Sequence, residues 1–126
     1  MKLKIWTDGG CSPNPGKGAW AFRIETINGK IIEDSGSVEN STNNRMETLA
    51  VVNALKQTQE FDSIDLYTDS VYVQRAIHGM KKPTINFDLL DEIEDLVSKR
   101  KLISVYLVAF DDNERVHKLV QRYFRR

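Results

Sequence analysis

The chain has 126 residues, 40% of them hydrophobic, which sets one globular domain, residues 1–126, with a single core. Its 18 Lys and Arg balance 18 Asp and Glu, so attraction to nucleic acid must come from a local patch or a bound metal, not from overall charge. One cysteine, Cys11, excludes an internal disulfide, no run reaches membrane-spanning length, and Met1-Lys2-Leu3-Lys4 lacks the apolar core of a signal peptide, so a reducing, cytoplasmic setting without a membrane partner is expected.

Lys2 to Thr7 alternates Lys2, Lys4 and Trp6 against Leu3, Ile5 and Thr7, a strand with one apolar face and Asp8 at its C-terminal end. The four glycines and two prolines from Gly9 to Gly18 read as loop. Ala19 to Thr26 alternates again, Asn28-Gly29 signals a type I′ hairpin, and Lys30 to Ser37 is the returning strand. Asn40-Ser41-Thr42-Asn43-Asn44 is loop and cap material before a helix from Arg45 to about Gln57, striped by Met46, Leu49, Ala50 and Leu55. Ser63 to Thr68 is a short strand, and Asp69-Ser70 caps a helix from Val71 to about Ile77. Gly79 to Thr84 breaks that helix, and Asn86 to Arg100 forms another whose Leu89, Leu90, Ile93, Leu96 and Val97 share a face. Ile103 to Phe110 is an apolar strand, Asp111-Asp112-Asn113 a turn and cap, and Glu114 to Arg126 a terminal helix. The order β-β-β-α-β-α-α-β-α implies an α/β mixed sheet covered by helices.

The glycine-rich stretch Gly10 to Gly18 fails as a phosphate-binding P-loop: five residues separate Gly10 from Gly16, Gly18 follows Lys17, and a strand comes next. The acids are more informative. Asp8 and Asp69 both stand at C-terminal strand ends, where their carboxylates converge if the strands are parallel neighbours. Taken singly, Asp8-Gly9 is a turn former, Glu47 is a capping-box partner three residues after Asn44, and Asp69 is an N-cap. Taken together, three acids at element ends without arginine partners beside them suggest a divalent-cation site, since hard Mg²⁺ prefers carboxylate oxygens.

Thr7-Asp8-Gly9-Gly10 with Asn14-Pro15-Gly16, then Thr42-Asn43-Asn44-Arg45-Met46-Glu47, then Tyr67-Thr68-Asp69-Ser70 resembles the type 1 ribonuclease H family, and the resemblance covers nearly the whole chain. It implies a ribonuclease H-like fold: a five-stranded mixed sheet, three antiparallel then two parallel strands, flanked by helices. The implied activity is hydrolysis of the RNA strand of an RNA/DNA hybrid, leaving 5′-phosphate and 3′-hydroxyl ends, by a monomer. The implied mechanism uses two Mg²⁺ or Mn²⁺ ions about 3.5–4 Å apart. Asp8 would bridge both ions, and Glu47 and Asp69 would each bind one. Asn14 and Asn44, with the backbone of Gly10 and Cys11, match groups that contact ribose 2′-hydroxyls. Thr42 and Asn43 match the part that grips a DNA phosphate. Alone, each of these polar residues reads as turn chemistry.

The chain also departs from that family. In Asn113-Glu114-Arg115-Val116-His117-Lys118-Leu119, His117 stands where a fourth metal-binding Asp is usual, and Val108-Ala109-Phe110-Asp111-Asp112 replaces a strand ending in Gly-His and its flexible loop. As a ligand, His117 should weaken a Mg²⁺ site and tilt activity toward Mn²⁺; the plain alternative is a polar helix residue. Asp111 or Asp112 reaching the site is weighed against a cap or turn role. Ile77 to Pro83 lacks the long basic arm of many relatives, and Gly79 replaces an Asn of the phosphate pocket. Lys81, Lys82, Arg122, Arg125 and Arg126 are the basic groups left, so hybrid binding should be weak and strongly salt-sensitive. Two other readings stand beside the endonuclease: a catalytically impaired module that binds nucleic acid or a protein, and another nuclease of the same superfold, such as a transposase or resolvase core.

Overall fold

A computed structural model describes residues 2–61, 63–78 and 86–124. The expected break from Gly79 to Thr84, Lys81, Lys82, Arg125 and Arg126 lie outside the described residues.

The elements are β1 (Lys2–Cys11), β2 (Gly16–Glu25), β3 (Ile31–Ser41), α1 (Asn43–Lys56), β4 (Ser63–Thr68), α2 (Val71–His78), α3 (Phe87–Ser98), β5 (Leu102–Leu107) and α4 (Glu114–Gln121), the last preceded by a 3₁₀ turn at Phe110–Asn113. They form a five-stranded sheet in the order β3-β2-β1-β4-β5. β1 runs antiparallel to β2 and parallel to β4, β3 is antiparallel to β2, and β5 is parallel to β4, so the mixed architecture expected from the element order is present.

Strand alternation sorts the two faces. Leu3, Ile5, Phe22, Ile24, Ile64 and Leu66 point to one side, where Val51, Val52 and Leu55 of α1 and Leu89, Ile93 and Leu96 of α3 bury them. Ala19 and Ala21 occupy the other side with Trp6, covered by Val116, Leu119 and Val120 of α4. Small residues on β2 let α4 lie close to the sheet. Polar ties fix its angle: Glu33 on β3 accepts from Arg23 at 2.8 Å and from both Nε and Nη2 of Arg115 at 2.8 and 2.7 Å.

Four local expectations are corrected. The glycines after Asp8 do not start a loop: β1 continues through Gly9, Gly10 and Cys11, paired with Trp20, Ala19 and Gly18, and only residues 12–15 lie between the strands. The second hairpin is not type I′. Of Asn28 and Gly29 only Gly29 has a positive φ, 87°, and with Thr26 N bonded to Lys30 O it closes a three-residue loop with the glycine in the left-handed position. Helix α1 is capped by Thr42, whose Oγ1 accepts from Arg45 N at 3.2 Å, so Asn44 is already helical and Glu47 has no capping-box role. Helix α4 stops at Gln121, well short of Arg126.

The extension of β1 has a steric reason. A Cβ on Gly9 would stand 2.3 Å from the carbonyl carbon of Met46 and 2.4 Å from the amide nitrogen of Glu47, both backbone atoms of α1. Glycine here permits strand and helix to touch. Gly9→Ala should therefore cost about 1–3 kcal/mol of stability, the usual range for overpacking, read as a lowered denaturation midpoint with an unchanged slope. A midpoint equal to wild type would refute this account of the contact.

Candidate active site

The parallel pairing of β1 with β4 ends at Trp6 opposite Tyr67. Asp8 and Asp69 each lie two residues further on, side by side at the C-terminal edge of neighbouring parallel strands, the usual ligand position in such sheets. Glu47 comes from α1, held there by the close contact at Gly9. One carboxylate oxygen from each of Asp8, Glu47 and Asp69 lies within 4.8 Å of the others. The helix after β4 is capped by Ser70, whose Oγ accepts from Val73 N at 3.1 Å, which leaves Asp69 to face the cluster instead of serving as the cap.

Crowding and burial show in the proton affinities. Asp8, 6% exposed, is pushed up to about 7, first by desolvation and then by the charge of Asp69, against a lowering hydrogen bond from the Gly9 amide. Glu47 is also raised to about 7, chiefly by desolvation, although the Ser70 hydroxyl donates to it. A divalent cation relieves both penalties by supplying positive charge where water is excluded. The donors are all carboxylate oxygens, which fits hard ions of the Mg²⁺ and Mn²⁺ kind.

Above the acids lies a cleft of about 560 Å³ lined by Asp8, Gly9, Gly10, Cys11, Ser12, Asn43, Asn44, Glu47, Asp69, His117, Val120, Gln121 and Phe124. His117, from α4, places Nδ1 3.1 Å from Oδ2 of Asp8. Asn43 and Asn44 form the rim with Gly10 and Cys11. Asn43 Oδ1 accepts from Cys11 N at 2.6 Å, and Asn14 Oδ1 accepts from Asn43 N at 3.2 Å, which stitches the 12–15 loop and the end of β1 to the start of α1. Thr42 and Asn14 do not line the cleft; Asn14 braces Asn43, which does, and Thr42 caps α1 through Arg45 N.

Asp111 and Asp112 sit in the 3₁₀ turn, and Asp112 faces a different hollow beside Trp6, Arg23 and Arg115, so neither belongs to this cleft. Asn113 makes no side-chain cap bond. Its Nδ2 instead donates to the carbonyl of Thr7 at 2.9 Å, tying the start of α4 to β1 beside Asp8. Sequence reasoning missed Asn113 in this role, along with Ser70 as partner of Glu47 and the apolar wall of Val120 and Phe124. For the wall, the helical stripe ending in Tyr123 and Phe124 was the available signal.

The RNase H family model matches residues 1–121. Ribonuclease H of Treponema denticola is 35% identical over 130 residues, covering 80% of this chain and 81% of that protein. Ribonuclease H of Brucella ovis is 33% identical over 136 residues, covering 95% and 88%. This chain belongs to the RNase H family. The crystal structure of RNase H1 from Halobacterium salinarum NRC-1 superposes with a TM-score of 0.83 at 25% identity, covering 98% of each chain. LC11-RNase H1, crystallised in complex with an RNA/DNA hybrid, superposes with a TM-score of 0.82 at 26% identity, covering 95% of this chain and 94% of that one.

This RNase H is therefore a hydrolase whose acid cluster fits divalent ions. Among the described residues no helix is long and apolar enough to cross a membrane. The raised carboxyls set a pH dependence for the metal-free protein. The folded state keeps protons on Asp8 and Glu47 up to about pH 7 that the unfolded chain releases near pH 4, so this stabilisation is complete below about pH 4 and is lost as pH rises through 7. Glu33 and Asp88, lowered to about 2 chiefly by hydrogen bonds from Arg115 and Arg45, act oppositely and lose their contribution as pH falls below about 4. Urea unfolding in chelator should show declining stability between about pH 5 and 8, a slope that Asp8→Asn flattens. A wild-type slope of zero in that window would contradict the burial of these acids.

Proposed function

We propose that the chain is an endonuclease that hydrolyses the RNA strand of RNA/DNA hybrids, leaving 5′-phosphate and 3′-hydroxyl ends, with two divalent cations held by Asp8, Glu47, Asp69 and His117. The observation that carries this reading is the convergence of three carboxylates to within 4.8 Å at the floor of a polar-rimmed cleft. The relative crystallised with an RNA/DNA hybrid supports the substrate class.

When bound, such ions lower the pKa of an attacking water and stabilise charge on the departing 3′ oxygen. Asp8, the most buried of the three acids, would be held in common by the ions, and Ser70 orients Glu47 by donating to it. Asn44 and Asn14, with the backbone of Gly10 and Cys11, are assigned to the ribose 2′-hydroxyls that distinguish RNA from DNA. Thr42 and Asn43 are assigned to a phosphate of the DNA strand, at a helix start whose amides favour an anion.

The hydrogen bond between His117 and Asp8 favours one second reading, a hybrid-binding module whose catalysis is impaired because an imidazole engages the shared ligand. One assay separates the two: labelled RNA/DNA hybrid, double-stranded DNA and double-stranded RNA, each with Mg²⁺, Mn²⁺ or chelator. The expected outcome is hybrid-only, ion-dependent cleavage, faster in Mn²⁺, that Asp8→Asn lowers by at least about 100-fold. His117→Asp should raise the Mg²⁺ rate relative to the Mn²⁺ rate by about tenfold or more. Absence of hybrid cleavage in both ions sinks the endonuclease reading and leaves the binding module. An unchanged metal preference removes His117 from the ligand set.

A further inference from the structure

Every group assigned so far to the nucleic acid lies on the floor of the cleft or on its α1 side. The α4 side carries, besides His117, Val120, Gln121 and Phe124, and none of these three has a substrate role. A Cβ built on Gly10, at the floor, would stand 3.7 Å from Cγ1 of Val120 and 4.0 Å from Oδ1 of Asn43, in ordinary contact with both. A group of methyl size lying there thus touches an apolar wall and a polar one at once. Val120 is only 1% exposed and Phe124 is half-buried, so the ring of Phe124 supplies most of the apolar surface open to a ligand.

That ring is held in place. α4 ends at Gln121, but Tyr123 N still donates to Val120 O at 3.1 Å and Phe124 N to Gln121 O at 3.0 Å, so the turn that follows stays tight. The Tyr123 hydroxyl hydrogen-bonds the Ser35 hydroxyl on β3 at 2.9 Å, which pins the turn to the sheet. Behind it, Phe124 packs against the cluster that holds Val116, Leu119 and Val120. A ring fixed from behind and open in front loses little freedom when a ligand covers it.

The two walls together select a sugar. A phosphate would lose water against an apolar ring without gaining a partner. A ribose carries a hydroxyl edge and C–H faces on one small ring, and each finds its complement here. We infer that Phe124 is a specificity-determining residue: it packs against the C–H side of the RNA-strand ribose whose 2′-hydroxyl Asn44 receives, and so holds that hydroxyl to the polar wall. This role rests on the hybrid as the substrate of the cleft. A deoxyribose lacks the hydroxyl that anchors the sugar, so the ring contributes little to duplex DNA, which is bound through its phosphates.

Fluorescence anisotropy of a labelled RNA/DNA hybrid and of duplex DNA of the same sequence tests this, in Mn²⁺ and with every variant built on an Asp8→Asn parent to suppress cleavage. Phe124→Ser should weaken hybrid binding at least about fivefold and duplex DNA binding less than about twofold, whereas Phe124→Leu, which keeps an apolar wall, should bind hybrid within about twofold of the parent. Phe124→Trp keeps the aromatic packing and adds a probe: its emission, less that of Trp6 and Trp20 in the parent, should change as hybrid saturates the protein. A parent that prefers hybrid to duplex DNA, while Phe124→Ser weakens both equally or neither, overturns the inference and leaves the hybrid reading standing. So does a Phe124→Trp emission that saturating hybrid leaves unmoved. A parent that binds hybrid no more tightly than duplex DNA overturns the hybrid reading and this role together.

Discussion

At Gly9 the backbone of β1 lies against the backbone of α1 with no room for a Cβ, and the position of the acids depends on that approach. A side chain there would push the helix away and carry Glu47 with it. Because the strand instead touches the helix, Asp8 and Glu47 share one buried corner, and the parallel register of β1 with β4 brings Asp69 to the same place. Desolvation and mutual repulsion at this corner are unfavourable, as the raised proton affinities of Asp8 and Glu47 show. The apolar layer between the sheet and helices α1 and α3 offsets that cost, at about 1.5–3 kcal/mol for each large side chain buried. The stability of the core thus maintains a crowded cluster of acids whose donor set fits a divalent cation.

The other side of the sheet closes the site. Ala19 and Ala21 let α4 approach, Asn113 ties its start to the Thr7 carbonyl, and Arg115 anchors it to Glu33 on β3. These constraints deliver His117 to Asp8 at 3.1 Å. The imidazole is therefore a packed neighbour of the acid cluster, placed by three independent contacts.

The same sheet divides its surfaces by task. Its C-terminal end holds the acids and the cleft, one edge is guarded by carboxylates on β3, and the opposite edge is an uncharged strand whose outward backbone groups have no partner strand among the described residues. The aromatic ladder Trp6, Tyr67 and Tyr106 crosses the sheet between the acids and that open edge, one step before Asp8 and Asp69 on their strands.

Periodicity alone determined the order of strands and helices, because alternation and the helical stripe are local consequences of which face is buried. Residue type and spacing marked Asp8, Glu47 and Asp69 as a set, and the motifs around them pointed to the RNase H family that the comparisons then established. Tertiary structure decided the rest. Whether Gly9-Gly10 turns or continues as strand depends on a helix 37 residues later in the chain, where Met46 requires the missing Cβ. Thr42 caps α1 in place of Asn44 because Asn44 faces the cleft from within the helix. Asn113 bonds Thr7 across 106 positions, and His117 reaches Asp8 across 109. Local propensity carries no information about contacts between segments so distant in sequence; only the packing of α4 on β1 and β2 brings them together.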